Sequence, residues 1–274
     1  MKISLVIFVL VTIGAVTFAS DTSNGFGYEL ILEEFDQLRE NLLDIRNKSQ
    51  QTLAINALRL ALGVHEVPSC QNTPNTTSGM YRIHPELSTI ASFLVYCDHS
   101  VENGGWTVIH RRFDGTLNFN RTWTEYRDGF GSLQGEYWLG LEKMHQITRN
   151  DNYELLVVMT SFNGTTKSAR YQRFIVASEF EKYKLILGQF VGGDAGDSFS
   201  SHDGLMFSTL DRDNDSFDNS CATLHKSGWW FQKCYAVNLN GHYEAGKTGA
   251  SMSWYRFSNS YDCLKEARML IRKM

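Results

Sequence analysis

Residues 104–112 read Gly104-Gly105-Trp106-Thr107-Val108-Ile109-His110-Arg111-Arg112, and the fold of the chain turns on this stretch. Aromatic and β-branched residues over 106–111 have the composition of a strand, and the two glycines ahead of them are turn chemistry. Working outward, similar short runs occur at 93–96, 153–159, 171–176, 183–187 and 269–271. Stretches rich in Gly, Asn, Asp and Ser separate them. Helical signals are few, at 122–126 and 141–149. Of the three prolines only Pro85 lies inside this region beyond its start, so its turns depend on Gly and Asx chemistry. There is no internal repeat. The pattern predicts an α+β domain with abundant irregular structure.

Composition narrows the function. The 274 residues are 42% hydrophobic and 20% charged, an ordinary globular mixture with room for one large domain and an appendage. A net charge of -4 offers no polyanion-binding surface, which argues against nucleic acid. Aromatic content is 13%. Rings in such number either cover the core of a loop-rich fold or build a contact surface, and the first use weighs more. At the N-terminus Lys2 precedes an apolar run over 3–16 and then Thr17-Phe18-Ala19-Ser20, the form of a signal peptide over 1–20. That run is too short to span a bilayer, and no second stretch is apolar enough to do so. A secreted, extracellular protein is expected. Its five cysteines, Cys70, Cys97, Cys221, Cys234 and Cys263, should then mostly be paired, with one left over. Sequons at Asn47, Asn75, Asn120 and Asn163 fit N-glycosylation.

A helix is expected over 28–62. Ile31, Phe35, Leu38, Leu42 and Ile45 alternate spacings of four and three, the seam of a coiled coil, with Glu33, Glu34, Asp36, Arg39 and Glu40 on the other side. Beyond it the stripe shifts to Leu53, Ala57 and Leu60, a stutter. Assembly into a homo-oligomer through this helix is expected. Gly63 ends it, and 63–67 reads as a linker to a domain over 68–274.

Further segments make that domain specific. Cys97-Asp98 precedes the opening stretch, and Asp114-Gly115, Phe119, Arg121, Trp123, Tyr126, Gly129-Phe130-Gly131 and Gly135-Glu136-Tyr137-Trp138-Leu139-Gly140-Leu141 follow it. Later come Met206-Phe207-Ser208-Thr209, Asp213-Asn214-Asp215, Asn219-Ser220-Cys221-Ala222, Gly228-Trp229-Trp230, Cys234 and Leu239-Asn240-Gly241. Together they resemble the fibrinogen-related domain of fibrinogen chains, ficolins, tachylectins and angiopoietins, over about three quarters of the sequence. The resemblance implies a fibrinogen C-terminal-like globule: a twisted, mostly antiparallel sheet and a loop-rich calcium- and ligand-binding subdomain behind a short coiled coil.

Asp211, Asp213 and Asp215 place three carboxylates in five positions. Their mutual repulsion asks for a cation, and oxygen donors on an irregular loop suit Ca²⁺. An EF-hand is excluded, since counting from Asp211 its sixth position is Ser216 and its twelfth Ala222. The resemblance implies instead the side chains of Asp213 and Asp215 with the backbone carbonyls of Phe217 and Asn219. Asp211 would stand behind them. The same resemblance implies disulfides Cys70-Cys97 and Cys221-Cys234, each stabilising by ~3 kcal/mol, and leaves Cys263 unpaired or bridging to another chain.

In lectin members, acetylated sugars sit in an aromatic pocket beside the second disulfide, where a non-proline cis peptide aims a backbone N–H at the acetyl group. That bond maps to Lys233-Cys234. Tyr235 stands where His is common and His225 where a ring is usual, so the acetyl-binding pattern is altered. Tyr261 could supply a missing wall. Enzyme signatures are absent: no G-x-S-x-G, no H-E-x-x-H and no phosphate loop. Two binding roles remain. One is a calcium-dependent lectin recognising glycans such as acetylated microbial sugars in innate immunity. The other is an angiopoietin-like or matrix ligand for a protein receptor. The sequence favours the first.

Overall fold

A computed structural model describes residues 35–51, 53, 66–74, 76–246 and 249–274. The expected signal peptide, positions 63–65 of the linker, Asn75 and parts of the expected 28–62 helix lie outside them. The protein divides into two units, Met1–Val64 and His65–Met274. In the first, residues 35–51 form helix α1. Its stripe faces solvent: Phe35, Leu38, Leu42 and Ile45 are 53, 57, 52 and 62% exposed.

The second unit is built on an antiparallel sheet. Its strands are β1 (Gly79–Ile83), β2 (Phe93–Asp98), β3 (Trp106–Arg112), β4 (Phe130–Gly131), β5 (Tyr137–Trp138), β6 (Tyr153–Ser161), β7 (Thr166–Tyr171), β10 (Phe190–Gly192) and β13 (Leu264–Lys273). They run in the order β1-β2-β3-β13-β6-β7-β10, with β5 added to β3 and β4 to β5. The last strand is therefore central: Leu270 pairs with Val108 on one side and Leu156 on the other. Strands β8 (Phe174–Val176) and β9 (Leu185–Leu187) form a separate ribbon, as do β11 (Val237–Asn238) and β12 (Ser253–Trp254). Among the described residues the unit has four short α-helices: α2 (Trp123–Asp128), α3 (Leu141–Thr148), α4 (Cys221–His225) and α5 (Tyr255–Ser258).

The opening stretch works as its residue types suggest. Gly104 and Gly105 both have left-handed φ, at 71° and 75°, a region that suits glycine, and Trp106–Ile109 is buried beyond them. Several strands escaped the sequence reading, and β1 and β7 are the longest of them. β1 (GMYRI) and β7 (TKSARY) are mixed in polarity, and pairing with β2 and β6 rather than local composition makes them strands. The expected run 171–176 is really two elements, broken at Gln172-Arg173, since Tyr171 ends β7 and Phe174 begins β8. The expected linker also ends early, because Val67 donates to the Arg82 carbonyl at 3.3 Å and accepts from His84 at 2.9 Å.

Most of the large rings are core. All six tryptophans are 5% exposed or less, so they cover the interior and supply no contact surface. Trp138 packs against Phe207, Trp229 and Trp230 at 5.9, 6.4 and 6.0 Å. Gly228 is forced by this packing, because a Cβ there would lie 2.4 Å from the Tyr126 ring. Helix α2 starts with a capping box between Thr122 and Glu125. The buried Glu136 carboxylate organises the turn after β3. Its Oε1 accepts from the N–H of Phe113, Asp114 and Gly115 at 2.7, 3.0 and 3.0 Å, and its Oε2 from that of Leu117 at 3.1 Å. Arg112 lies beside it at 3.6 Å.

Candidate functional site

The segment from Asp211 to Ser220 is a loop without helix or strand, and Cys221 opens α4 at its end. Asx bonds shape it, as its sequence of short acceptors allows. Asp213 Oδ1 accepts from the Asp215 N–H at 3.0 Å. Asp215 in turn accepts from the Phe217 N–H through Oδ1 (2.8 Å) and from the Cys221 N–H through Oδ2 (2.9 Å). Burial holds the Asp215 carboxyl above its usual value, the two backbone N–H bonds oppose this, and the neighbouring Asp213 carboxylate adds to the rise. Asp211 is engaged elsewhere. Its Oδ1 accepts from the Trp123 N–H at 2.8 Å and from Thr209 Oγ1 at 2.7 Å, tying the loop to the start of α2.

This donor set fits a calcium ion. Asp213 and Asp215 are two adjacent carboxylates. The carbonyls of Phe217 and Asn219 accept no backbone hydrogen bond among the described residues, so both remain available to a hard cation. No cluster of three or more His, Cys, Asp or Glu side chains is gathered for a metal among the described residues. A site here would therefore rest on two carboxylates, carbonyls and water. Asn214 is committed inside the loop, its Nδ2 donating to the Phe207 carbonyl at 2.7 Å.

The loop is fastened to the segment that follows the two tryptophans. Cys221 is disulfide-bonded to Cys234 with Cα atoms 5.5 Å apart, and Ser216 donates to the Gln232 carbonyl through N–H (3.3 Å) and Oγ (3.2 Å). The Lys233-Cys234 peptide bond is cis. Lys233 is exposed, its Nζ lying 6.0 Å from the centre of the Phe217 ring. The acidic loop and the 232–235 segment thus form one tethered piece.

Beside it stands a row of rings. His225, at the end of α4, meets Tyr235 edge-on at 4.8 Å. Tyr235 meets Tyr261 at 5.6 Å, and Tyr261 meets Tyr255 at 5.1 Å. Tyr261 also donates through its hydroxyl to the Tyr235 carbonyl at 3.2 Å, which holds it against Tyr235. Burial pushes the Tyr235 phenol up to about 12 and holds the His225 imidazole below its ordinary value. Both are therefore neutral at physiological pH. The Nδ1 atom of His225 is buried without a hydrogen-bond partner.

His202 was not singled out by sequence, being a lone histidine far from the motif, yet it holds the row in place. Its ring is 1% exposed. Nε2 accepts from the N–H of Ala236 (3.2 Å) and Val237 (3.1 Å), which leaves Nδ1 to donate to the Trp230 carbonyl at 2.7 Å. The backbone on either side of Tyr235 is thereby anchored to one imidazole.

Away from this face, Cys70 and Cys97 are joined with Cα atoms 5.4 Å apart. Cys263 is a free thiol, 6% exposed, and burial raises its pKa. Its Sγ accepts from the Glu244 N–H at 3.4 Å. The sequon residues Asn47, Asn120 and Asn163 are all exposed. Among the described residues no helix is long and apolar enough to cross a membrane.

Residues 65–274 match the family model for the C-terminal globular domain of fibrinogen beta and gamma chains. Fibrinogen-like protein 1 of Rattus norvegicus is 42% identical over 213 residues, 71% of this chain and 67% of that protein. Angiopoietin-related protein 2 of Homo sapiens is 44% identical over 202 residues, 72% of this chain but only 40% of that protein. Among solved structures, the fibrinogen-like globe domain of human ANGPTL2 aligns with a TM-score of 0.73 at 40% identity, covering 76% of this chain and 99% of that one. Lamprey fibrin D-dimer, complexed with the peptide ligand Gly-His-Arg-Pro-amide, aligns with a TM-score of 0.71 at 30% identity, covering 98% and 92%.

Proposed function

The protein belongs to the family defined by the C-terminal globular domain of the fibrinogen beta and gamma chains, and from that premise we propose that it is a secreted, non-enzymatic ligand for a protein partner. The contact face is the tethered piece formed by the 211–221 loop, the Lys233-Cys234 bond and the rings of His225, Tyr235 and Tyr261. The observation that carries this reading is kinship across the whole globe with fibrinogen-like and angiopoietin-related proteins. The peptide held by the lamprey relative agrees with it. The same kinship moves the weight away from the carbohydrate-binding, immune role that the sequence favoured, because the relatives' names lend it no support.

Calcium has a bracing part in this proposal. Held by Asp213, Asp215 and the carbonyls of Phe217 and Asn219, it would supply positive charge to a loop that otherwise crowds two carboxylates. The protein's own residues do the rest. The Cys221-Cys234 bond carries the loop's position to residues 232–235, and His202 fixes the backbone beyond them. The exposed stripe Phe35, Leu38, Leu42 and Ile45 supports a further element of the proposal, assembly of copies through α1, which would multiply avidity for a partner.

The test uses the full secreted protein on arrayed receptor ectodomains and on a glycan array, each with and without a calcium chelator. Support is binding to an ectodomain that free sugars do not compete and that Tyr235→Ala weakens by about 2 kcal/mol, the scale of an aromatic hot spot. Silence across the ectodomains, with sugar-competed binding to glycans, would overturn it.

A further inference from the structure

A cavity of about 410 Å³ lies between the turn that follows β3 and the 240–243 segment. Its lining includes the apolar Leu117, Phe119 and Tyr243 together with the polar Asn118, Lys226 and His242, and Asn120 stands in its wall. These walls are fixed by the protein's own bonds. Glu136 clamps the turn from Phe113 to Leu117. The Arg112 guanidinium donates to the carbonyls of Leu239 (3.3 Å) and Gly241 (3.1 Å), so the two sides of the cavity share one buried anchor. Tyr243 donates through its hydroxyl to the Phe113 carbonyl at 3.1 Å. Its ring packs so closely on Gly115 that a Cβ there would lie 2.4 Å away.

Asn120 is the acceptor residue of Asn120-Arg121-Thr122. It is exposed, and its N–H donates to Asn118 Oδ1 at 2.9 Å, which sets the turn on which it sits. No hydrogen bond of its side-chain amide is present among the described residues. Asn163 differs: at the tip of the β6–β7 hairpin its Oδ1 accepts from Ser161 Oγ (2.5 Å) and from the Thr165 N–H (3.0 Å).

We propose that Asn120 carries an N-linked glycan and that the first core sugars of that glycan lie in this cavity. The chemistry of the lining suits a hexosamine. Such a sugar has an apolar ring face for Tyr243 and Leu117, and hydroxyl and acetamido groups for Asn118, Lys226 and His242. Attachment is an ordinary group transfer in the secretory pathway from a lipid-diphosphate-linked oligosaccharide. A bond forms between Asn120 Nδ2 and the anomeric carbon, the bond from that carbon to the diphosphate oxygen breaks, and one amide proton leaves with the lipid diphosphate. No oxidant or reductant takes part. This goes beyond the partner reading and needs only passage through that pathway. Its consequence for function is positional, since Lys226 directly follows His225 and seated sugars would wall one edge of the contact face.

The full-length protein is to be secreted from a eukaryotic cell line and its tryptic peptides analysed by mass spectrometry for a glycan on Asn120. Amide hydrogen exchange is then compared among the native glycoprotein, the folded protein after enzymatic removal of its glycans, and Asn120→Gln. Expected are a modified Asn120 and exchange in 112–120 and 240–243 that speeds about fivefold on removal, the factor one net hydrogen bond contributes. Asn163→Gln should leave those segments unchanged. An unmodified Asn120 overturns the proposal. So does a modified Asn120 whose glycan can be removed without altering exchange in both segments.

Discussion

Acid should weaken this protein through two buried imidazoles, and His202 makes the cause explicit. Its Nε2 is already an acceptor for two backbone N–H groups, so a second ring proton has nowhere to sit without breaking both. Burial accordingly lowers its pKa to about 4, against the smaller opposing effect of the Trp230 carbonyl. His110, with no exposure, is lowered to about 3 by burial and by the charge of Arg112. In the unfolded state both return to about 6.5. The unfolded state therefore binds more protons in the window between, and stability must rise with pH there. No penalty exists well above pH 6.5. It begins as pH falls through that value and levels off only below the native values. At about pH 5 each imidazole costs roughly 2 kcal/mol, from about 1.4 kcal/mol per unit over the 1.5 units below the unfolded value. Together they remove about 4 kcal/mol from a domain whose total stability is of the order of 5–15 kcal/mol. Urea unfolding at a series of pH values measures the loss, and nitrogen-15 NMR of the histidine rings identifies the Nδ1–H tautomer. A stability that stays flat between about pH 7.5 and pH 5, or a native His202 that titrates near 6.5, would refute the reasoning.

Glu136→Gln should destabilise the domain by about 3 kcal/mol or more, because it strands the buried Arg112 charge; chemical denaturation with an unchanged m-value checks it. Excess calcium should stabilise the wild-type protein by about 2.7 kcal/mol at a hundredfold excess over Kd, and Asp215→Ala should abolish that gain in thermal unfolding. A shift that persists in the variant would remove calcium from the 211–221 loop. Cys263→Ser should leave mobility on non-reducing gels unchanged and cost no more than about 1–2 kcal/mol, as expected for one buried polar replacement. A disulfide-linked dimer present only in the wild type would show that Cys263 reaches a second chain after all.

Much of the fold was legible in local chemistry. The run 106–111 is the greater part of β3, and the Gly104-Gly105 pair ahead of it adopts the conformation that glycine favours. Thr122 and Glu125 announce the start of α2. The crowding of Asp213 and Asp215 marked the loop before any geometry was known, because like charges at short spacing are conspicuous in a sequence. The tertiary structure settled what depends on distant partners. It placed β13 between β3 and β6, made strands of the mixed sequences of β1 and β7, and buried Cys263. It also assigned Asp211 to the start of α2, through a bond to Trp123 that spans 88 positions. His202 illustrates the division. Nothing near it in the sequence foretells a role, since its partners Trp230, Ala236 and Val237 lie 28 to 35 positions away. Local propensity and charge spacing are properties of neighbours along the sequence and can be read there. Burial and hydrogen-bond satisfaction are properties of neighbours in space, and only the packed globe supplies them.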